Sequence, residues 1–447
     1  MRRLMMAAAL GVLLAASPAS SASSASSAGA QHTFEEVAAG LRAPDPDTRL
    51  RAVQILKDGG LAEAAGPLSA AVNDPDARVQ LAAIDAERSL FITKPIARKR
   101  MIGFVVEVRN NDVGEQVFAA GQLALVARVV PPEVLSALAE AMHSSNPRVR
   151  LDALYVFGAL APLGRPAAPG TAASPAAPAT AASEDAIRSG ISWTIEALRR
   201  GNRAEQTAAA EVAGRALKDC GSPVAGELCV EMGNALVDAV NNRDAQVHRA
   251  AMVSLGQLRY PNAVQALADQ LSYYQNGPDA HAALEGLAGI GHPTSADIFK
   301  RLLASGDPDF RRLAVEGLAR AGSAADLPDV QRMAQTEKSN PVLLALHYAA
   351  LKLGAPGAKP DQLIASLRDP SLRPLALQYL LDLSPAIAPA LASHLQDPDP
   401  ETRMLVADVL GFSRDAAIVP RLEAATKDPD METARAARRA IDRINLR

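Results

Sequence analysis

Aromatic residues make up only 3% of this 447-residue chain, although 49% of its residues are apolar. An interior with so few large rings must be filled by Ala, Leu and Val, which suits helices packed through small side chains. A β-sandwich would need more Val, Thr, Tyr and Phe in its strands. The composition therefore favours an all-α protein.

Motifs for enzyme chemistry are missing as well. The seven histidines show no metal-ligand spacing, no His is followed by Glu, and the sequence contains no G-x-S-x-G, no phosphate-binding glycine loop and no C-x-x-C. We predict no catalytic residue, no metal and no cofactor. The chain is mildly acidic, with a net charge of −3 and no extended basic tract, so we also predict that it does not bind nucleic acid.

The N-terminus has the order of a secretory signal peptide. Arg2 and Arg3 precede an uncharged, mostly apolar run from Leu4 to Ala16, and small residues follow. This run is shorter than the roughly 20 residues that span a bilayer. We predict a signal peptide over residues 1–30, with cleavage after residue 19, 22 or 30. The mature protein would be periplasmic or secreted through the general bacterial export route, without a membrane span.

A phrase typified by "DPDFRRLAVEGLARAG" (307–322) recurs along the rest of the chain. With Arg311 as reference, twelve equivalent positions define twelve units, numbered 1 to 12 below: 49, 80, 116, 150, 206, 248, 280, 311, 344, 373, 403 and 434. Three residues after the reference, ten of the twelve units have Ala. Seven residues after it, ten have Leu, Ile or Phe. These offsets share one helical face, and the Ala column allows a neighbouring helix to approach closely.

Two expectations about side chains follow from this register. Ala314 belongs to the Ala column, so we expect it at a close helix contact, where a larger side chain would be harmful. Glu316 is two positions further on and off this face, so we expect its replacement by Ala to be nearly silent.

The units begin with a helix-start signal. Asp or Asn precedes Pro at the start of many units, where the acid or amide can cap the first turn and Pro fits the first helical position. These predicted caps are Asp45, Asp74, Asn146, Asp307, Asn340, Asp369, Asp397 and Asp428. A short turn and a second amphipathic segment follow, for example residues 386–395. Each unit is thus predicted to be a helical hairpin, which must stack on others to bury its apolar face.

The pattern D-P-D-x-x-R/V-R-x-A-A-x-x-L-G followed by a second helix resembles the HEAT repeat. It is most similar to the short bacterial form known as the phycobilisome-lyase HEAT-like repeat. The resemblance covers residues 40–447 and is clearest from 243 onward. It implies a right-handed α-solenoid of about twelve stacked hairpins. It also implies an Asp–Arg ladder between repeats, for which the candidates are Arg49, Arg150, Arg311, Arg373 and Arg403.

The predicted domain order is a signal peptide (1–30), N-terminal HEAT-like repeats (31–162), an insertion (163–185) and C-terminal HEAT-like repeats (186–447). The insertion consists almost wholly of Ala, Pro, Ser and Thr, so we predict a disordered loop, with the second helix of unit 4 resuming near Ala186. Cys220 and Cys229 are the only cysteines. In an oxidising compartment we expect a disulfide between them, although two buried thiols remain the alternative.

Two surface features could bind a partner. One is the basic stretch containing Arg98, Lys99 and Arg100. The other is a group of tyrosines at the two ends of one second helix, Tyr260, Tyr273 and Tyr274.

We interpret the protein as an exported HEAT-repeat scaffold, not an enzyme, whose second helices line a concave face that holds a protein or peptide. Two alternatives stay open. The resemblance to the lyase family allows an enzyme, or an enzyme accessory, of the lyase or hydroxylase type. A purely structural spacer in the cell envelope is the other.

Overall fold

The computed structural model describes residues 33–92, 123, 125–126, 128–163, 179–217 and 223–446. Within these ranges the chain forms α-helices joined by short turns, and the β-structure is limited to an isolated bridge between Ile92 and Leu125. The protein is an all-α array of stacked hairpins, as predicted. The helix α1 (Phe34–Gly40) precedes the first unit.

The first helices of eleven units are described. They are α2 (Pro46–Gly59), α4 (Ala77–Phe91), α6 (Pro147–Leu160), α8 (Arg203–Ala216), α10 (Ala245–Leu258), α12 (Gly277–Ile290), α14 (Pro308–Ala321), α16 (Asn340–Lys352), α18 (Arg373–Ala392), α19 (Pro400–Leu410) and α21 (Met431–Asn445). The second helices are α3 (Ala65–Val72), α5 (Pro132–Ala141), α7 (Ala179–Arg200), α9 (Pro223–Ala239), α11 (Val264–Tyr274), α13 (Ala296–Leu302), α15 (Leu327–Ala334), α17 (Asp361–Ala365) and α20 (Val419–Ala425).

Unit 3, predicted around Gln116, lies outside the described residues, but its neighbours are informative. The first helices of units 2 and 4, α4 and α6, pack directly on each other. The Ser144 hydroxyl, just before α6, donates to Gln80 Oε1 on α4 at 3.1 Å. The second helix of unit 2 is α5, which begins only at Pro132. The first helices of units 2 and 4 are therefore direct neighbours in the stack, and the predicted unit 3 stays a prediction.

The helix starts use their acidic residues in two ways. Asp45, Asn146 and Asp307 cap their helices as predicted, each accepting a backbone N–H of the first turn. At three other starts that read Asp-Pro-Asp, the second acid is the cap: Asp76, Asp399 and Asp430. The first acid of each motif accepts the backbone N–H of the second at 2.8–2.9 Å. Prediction of Asp74, Asp397 and Asp428 as the caps was thus wrong by two residues.

The remaining two predicted caps also differ. Asn340 is the first residue of α16, preceded by Ser339, and Asp369 precedes α18 by four residues. The Asp369 carboxylate instead accepts the backbone N–H of Ser371 in the turn before the helix.

The Ala column forms the core contact that the register predicts. Nine of its ten members lie in the described part of the chain, and all are buried, at 5% exposure for Ala52 and none for the rest. These are Ala52, Ala83, Ala153, Ala209, Ala251, Ala283, Ala314, Ala376 and Ala437. Because a methyl group at this position is fully enclosed, any larger side chain must displace a neighbour.

Unit 10 departs from the hairpin pattern. Its predicted second helix, residues 386–395, is largely a continuation of α18, which runs to Ala392 with Pro385 and Pro389 inside it. Each proline removes one backbone donor, and prolines at such positions allow a helix to bend. The stretch Arg373–Gln396 is long and apolar enough to cross a membrane by length and composition. Its inward face is packed in the core of the array, as expected for a core helix.

The first helices lie on the concave side of the array. A Cβ atom on Gly256 of α10 would be 2.8 Å from the Gly286 backbone of α12, so these two helices approach very closely. Asp382 of unit 10 forms ion pairs with Arg259 of unit 6 and Arg320 of unit 8. Side chains can skip units in this way only on the inside of a bend.

The second helices of units 6 to 8, by contrast, make few contacts with one another. They spread on the outside of the bend. The expectation that second helices line the concave face was therefore wrong.

Candidate functional site

A ladder of arginines joins successive units at one edge of the array. The Arg311 guanidinium donates to both oxygens of Glu337 at 2.8 and 3.0 Å, and to the Ser305 carbonyl at 2.9 Å. In each rung the arginine bonds the carbonyl six residues before it and a carboxylate near the start of the next described unit. The rungs are Arg49–Asp74, Arg150–Glu205, Arg311–Glu337, Arg373–Glu401 and Arg403–Asp428. All five predicted arginines thus have a structural role.

The ladder also explains why two of the Asp-Pro-Asp motifs contain two acids. Asp74 and Asp428, the first acids of their motifs, receive the bidentate guanidiniums of Arg49 and Arg403, while the second acids cap the helices. A bidentate Arg–carboxylate pair fixes both the distance and the angle between its partners. The rungs therefore fix the distance and the angle between successive first helices.

Three rows of side chains run across the inner face of the first helices, at one, five and nine residues after the reference position. In units 2 and 4 to 8 the middle row contains Asp85, Tyr155, Glu211, Val253, Glu285 and Glu316, and all but Glu316 are partly exposed. The row is therefore rich in carboxylates that solvent or a partner can reach. We take this concave face as the candidate functional site.

The carboxylates of the middle row differ in how well they are compensated. At Asp85 the pKa is lowered because the ion pairs with Lys57 and Arg88 outweigh the effect of burial. At Glu211 burial raises the pKa, although the Tyr155 hydroxyl donates to its Oε2 at 3.0 Å. At Glu285 burial also raises the pKa, and its Oε2 lies 3.8 Å from Nδ1 of the His281 ring.

A buried polar network joins units 8, 9 and 10. Glu316, only 3% exposed, accepts from Arg312 at 2.5 Å and from the Tyr379 hydroxyl at 2.6 Å. The Tyr379 ring stacks on Tyr348 with centroids 4.5 Å apart, and the Tyr348 hydroxyl donates to Asp382.

Burial raises the pKa of both tyrosines, so their hydroxyls stay protonated and act as donors. The expectation that Glu316 is a silent position was wrong. Its offset does place it off the Ala face, but the strong curvature turns that face inward against unit 10.

The predicted tyrosine group is split by the structure. Tyr260 is buried, with its ring against Gly233 and its hydroxyl donating to Asn234 at 2.8 Å, so it is a packing residue. Tyr273 is 79% exposed and makes an edge-to-face contact with Tyr274, 4.9 Å between centroids. Tyr273 therefore stays available to a partner. The other candidates, Arg98, Lys99 and Arg100, lie outside the described residues.

The insertion and the cysteines are only partly described. α7 begins at Ala179, seven residues before the predicted resumption at Ala186, so the segment outside the described residues is 164–178. Cys229 is buried on α9 and is not a free thiol. Cys220 lies outside the described residues, and its pairing with Cys229 stays a prediction.

A surface pocket on the outer side escaped the sequence analysis. It lies between the second helices α5 and α7, has a volume of about 530 Å³, and is lined by Ser136, Glu140, His143, Ala182, Asp185, Ala186, Ser189 and Trp193. Trp193 is the only tryptophan and is 36% exposed, with His143 against its ring. A lone exposed Trp on an outward helix was the available signal. Among the described residues, no group of three or more His, Cys, Asp or Glu side chains is arranged to hold a metal.

Comparison with solved structures returns other helical repeat proteins. An engineered protein aligns with a TM-score of 0.40 and 15% identity, over 92% of this chain and 98% of its own. The CpcE–CpcF complex of phycocyanin lyase from Nostoc sp. PCC7120 aligns at 0.39 and 19%, over 62% and 97%. Importin beta aligns at 0.36 and 14%, over 92% and 50%.

No curated protein sequence matches the chain. A family model for HEAT repeats matches residues 274–351 and 360–442, which span units 7 to 12. These residues carry the regular hairpins and three of the five arginine rungs described above. The chain therefore carries HEAT repeats over residues 274–351 and 360–442.

Proposed function

We propose that the protein is an exported HEAT-repeat scaffold that binds a protein or peptide segment along its concave face. The observation that carries the proposal is the middle row of the inner face. There Glu211 and Glu285 are half-buried carboxylates whose pKa values burial raises, and the charges of Arg215 near Glu211 and Arg312 near Glu285 only partly oppose that effect. A Lys or Arg side chain of a partner would pair with them and remove that electrostatic cost.

Rigid placement of the row supports the same proposal. The rungs and the close first-helix contacts hold the carboxylates at fixed spacing, which lowers the entropy lost when an extended segment binds. No described feature favours the enzyme alternative over the scaffold.

Site-specific photo-crosslinking tests the binding face. Gln257 on α10 lies on the inner face beside Gly214 of α8, whereas Gln265 on α11 is on the outer side, and both are exposed. With a photoreactive residue at each position in turn, we expect a discrete adduct in envelope extract from Gln257 only. Equal labelling at both positions, or none at either, would contradict binding on the concave face.

Charge neutralisation tests the partner's chemistry. Glu211→Gln combined with Glu285→Gln should reduce the adduct formed at Gln257 about tenfold, because each pair contributes roughly 0.5–1 kcal/mol at a partly exposed site. The matched control is Glu227→Gln on α9, an exposed outer glutamate, which should leave the yield unchanged. An unchanged yield in the double variant would show that the partner is not held through basic side chains.

Export is tested separately. Amino-terminal sequencing of a C-terminally tagged chain should give a mature protein that starts at Ser20, Ser23 or Gln31. A protein that keeps its first residues and fractionates with the cytoplasm would refute export without affecting the proposal for the concave face.

A further inference from the structure

One rung of the ladder is made by histidine. His248 stands at the reference position of unit 6, where five other units use arginine. Its Nδ1 lies 3.2 Å from the Asn242 carbonyl, six residues earlier, and its Nε2 lies 2.7 Å from Asp279 Oδ1 of unit 7. These two partners occupy the places of the carbonyl and the carboxylate in the arginine rungs. His248 therefore takes the same part in the ladder.

Both partners of His248 are hydrogen-bond acceptors. A neutral imidazole has one N–H and can satisfy one of them, whereas an imidazolium has two and satisfies both. The ring is buried. A second acceptor facing a bare ring nitrogen would then repel it, in surroundings where water cannot easily intervene. The rung is complete only when His248 carries both protons.

Charged groups of both signs lie beside the ring: the Asp279 carboxylate favours this state, whereas the Arg249 guanidinium, which donates to the same oxygen, opposes it. From α12, Asp279 stays ionised, because the hydrogen bond from Arg249 at 2.5 Å, opposed by burial and aided by His248, lowers its pKa. From the end of α11, the Tyr274 ring lies 6.1 Å away. On α10 itself, the N-cap residue Asp244 is already paired with Arg203 of α8 at 2.6 Å. The turn after α9 supplies the Asn242 carbonyl.

We propose that the His248 rung is a proton-dependent joint between units 6 and 7, closed at acidic pH and opened when His248 loses a proton. The five arginine rungs stay charged throughout the accessible pH range. Of the six rungs in the described structure, only this one can respond to pH in the range between about 5 and 8 where histidine titrates.

The position of the joint defines what can move. His248 and Asp279 lie near the N-terminal ends of α10 and α12, whereas the tight contact among Gly256, Gly286 and Gly289 lies near their C-terminal ends. Loss of the rung would release one end of the helix pair while the glycine contact holds the other. The angle between units 6 and 7, and so the local curvature, would become variable. This inference does not depend on the proposed partner.

Hydrogen exchange at about pH 5.5 and pH 8.5, corrected for intrinsic rates, measures the effect. In the unmodified chain we expect protection in the first turns of α10 and α12 to fall about tenfold more than in α14 and α16 at the higher pH, the size of one charge-assisted hydrogen bond. In His248→Arg this extra loss should disappear. His248 and Arg249 both contact Oδ1 of Asp279, so Oδ2 of Asp279 can accept a hydrogen bond from an arginine at position 248.

A second variant, with histidine in an arginine rung, tests the proposal even if His248→Arg does not fold. Arg311→His places the same ring between the Ser305 carbonyl and Glu337, and should confer an extra pH-dependent loss on α14 and α16. The proposal is overturned if His248→Arg keeps the extra loss at α10 and α12. It is equally overturned if Arg311→His and the unmodified chain show the same pH profile at α14 and α16.

Discussion

Units 1 to 5 and units 6 to 12 stack in different ways. In the first group the second helices contact their neighbours along the array, and two of them are long, 22 residues in α7 and 17 in α9. In the second group they are short, 7 residues in α13 and 8 in α15, and the first helices make most of the contacts between units. The same hairpin plan thus gives two layers of contact in one region and a single inner layer in the other.

The difference accounts for the location of the buried polar network. Where only the inner layer is in contact, the array bends sharply and side chains from units 6, 8 and 9 reach Asp382 of unit 10. Where both layers are in contact, inner-face partners are adjacent in the stack, as in the bond from Tyr155 of unit 4 to Glu211 of unit 5. Curvature, rather than the repeat motif, determines which inner residues become buried.

Removal of Glu316 should lower the free energy of unfolding more than any other change proposed here, and it should separate the two regions most clearly. Glu316→Ala leaves Arg312 and the Tyr379 hydroxyl without their acceptor in a buried site, and loss of one partner there costs about 3–5 kcal/mol. Glu211→Ala, the same column in the less curved region, removes one hydrogen bond at a partly exposed carboxylate and should cost about 1 kcal/mol or less. Urea unfolding followed by helicity measures both. Equal losses would show that curvature does not control the burial of this row.

The second-largest effect should be the weakening of the Arg311 rung by acid. The hydrogen bond from Arg311, opposed by burial and aided by the backbone N–H groups of Ser339 and Lys338, lowers the pKa of Glu337 to about 2. Because the folded pKa lies below the unfolded value of about 4.3, the stabilisation is present above about pH 4.3 and is lost as pH falls towards 2. The expected loss is on the order of 2–3 kcal/mol.

Arg311→Ala should remove most of this acid dependence, and the difference between variant and unmodified chain isolates the rung. At the α4–α6 boundary the corresponding contact is the neutral Gln80–Ser144 bond, which has no carboxylate to protonate. Gln80→Ala should therefore leave the acid profile unchanged. A profile that Arg311→Ala does not alter would contradict the assignment of the rung.

Larger side chains in the Ala column should lower the free energy of unfolding by less than the loss of Glu316 does. Ala314→Leu and Ala209→Leu both enlarge a side chain with no exposed surface, and each should cost about 1–3 kcal/mol. In a solenoid the damage is expected mainly in the mutated unit and its neighbours. Hydrogen exchange should show losses in units 7 to 9 for Ala314→Leu, with little change near Arg49, and in units 4 to 6 for Ala209→Leu. A uniform loss along the chain would mean that the array unfolds as one unit.

The repeat register could be predicted from the sequence because it depends on local chemistry. An Ala three residues after the reference position and an acidic cap before it act within one helix and its nearest neighbour, so Ala314 and Asp307 were placed correctly. Contacts that skip units depend on curvature, which accumulates from small differences in second-helix length. The burial of Glu316 by Tyr379, 63 residues away, carries no local signal and could not be predicted.

The candidate site was predicted only in part for the same reason. The arginine rungs could be identified because each repeats at the reference position. The concave face was assigned to the wrong helices, since the amphipathic pattern shows that a face is buried but not which layer lies inside the bend. His248 broke the arginine column in the sequence, and only the geometry shows that it fills the same place.

The smallest expected effect concerns the insertion, which lies within unit 4 of the less curved region. Residues 166–177 contain only Ala, Pro, Gly, Thr and Ser, with no large apolar side chain to bury, so their deletion should leave the thermal midpoint within about 1 °C. Extension of the deletion to residue 182 should lower the midpoint, because it removes the first turn of α7 and the residues leading into buried Ser183. Thermal unfolding followed by helicity compares the two. If the shorter deletion lowers the midpoint as much as the longer one, residues 166–177 pack against the repeats and stabilise α7, the long second helix of unit 4.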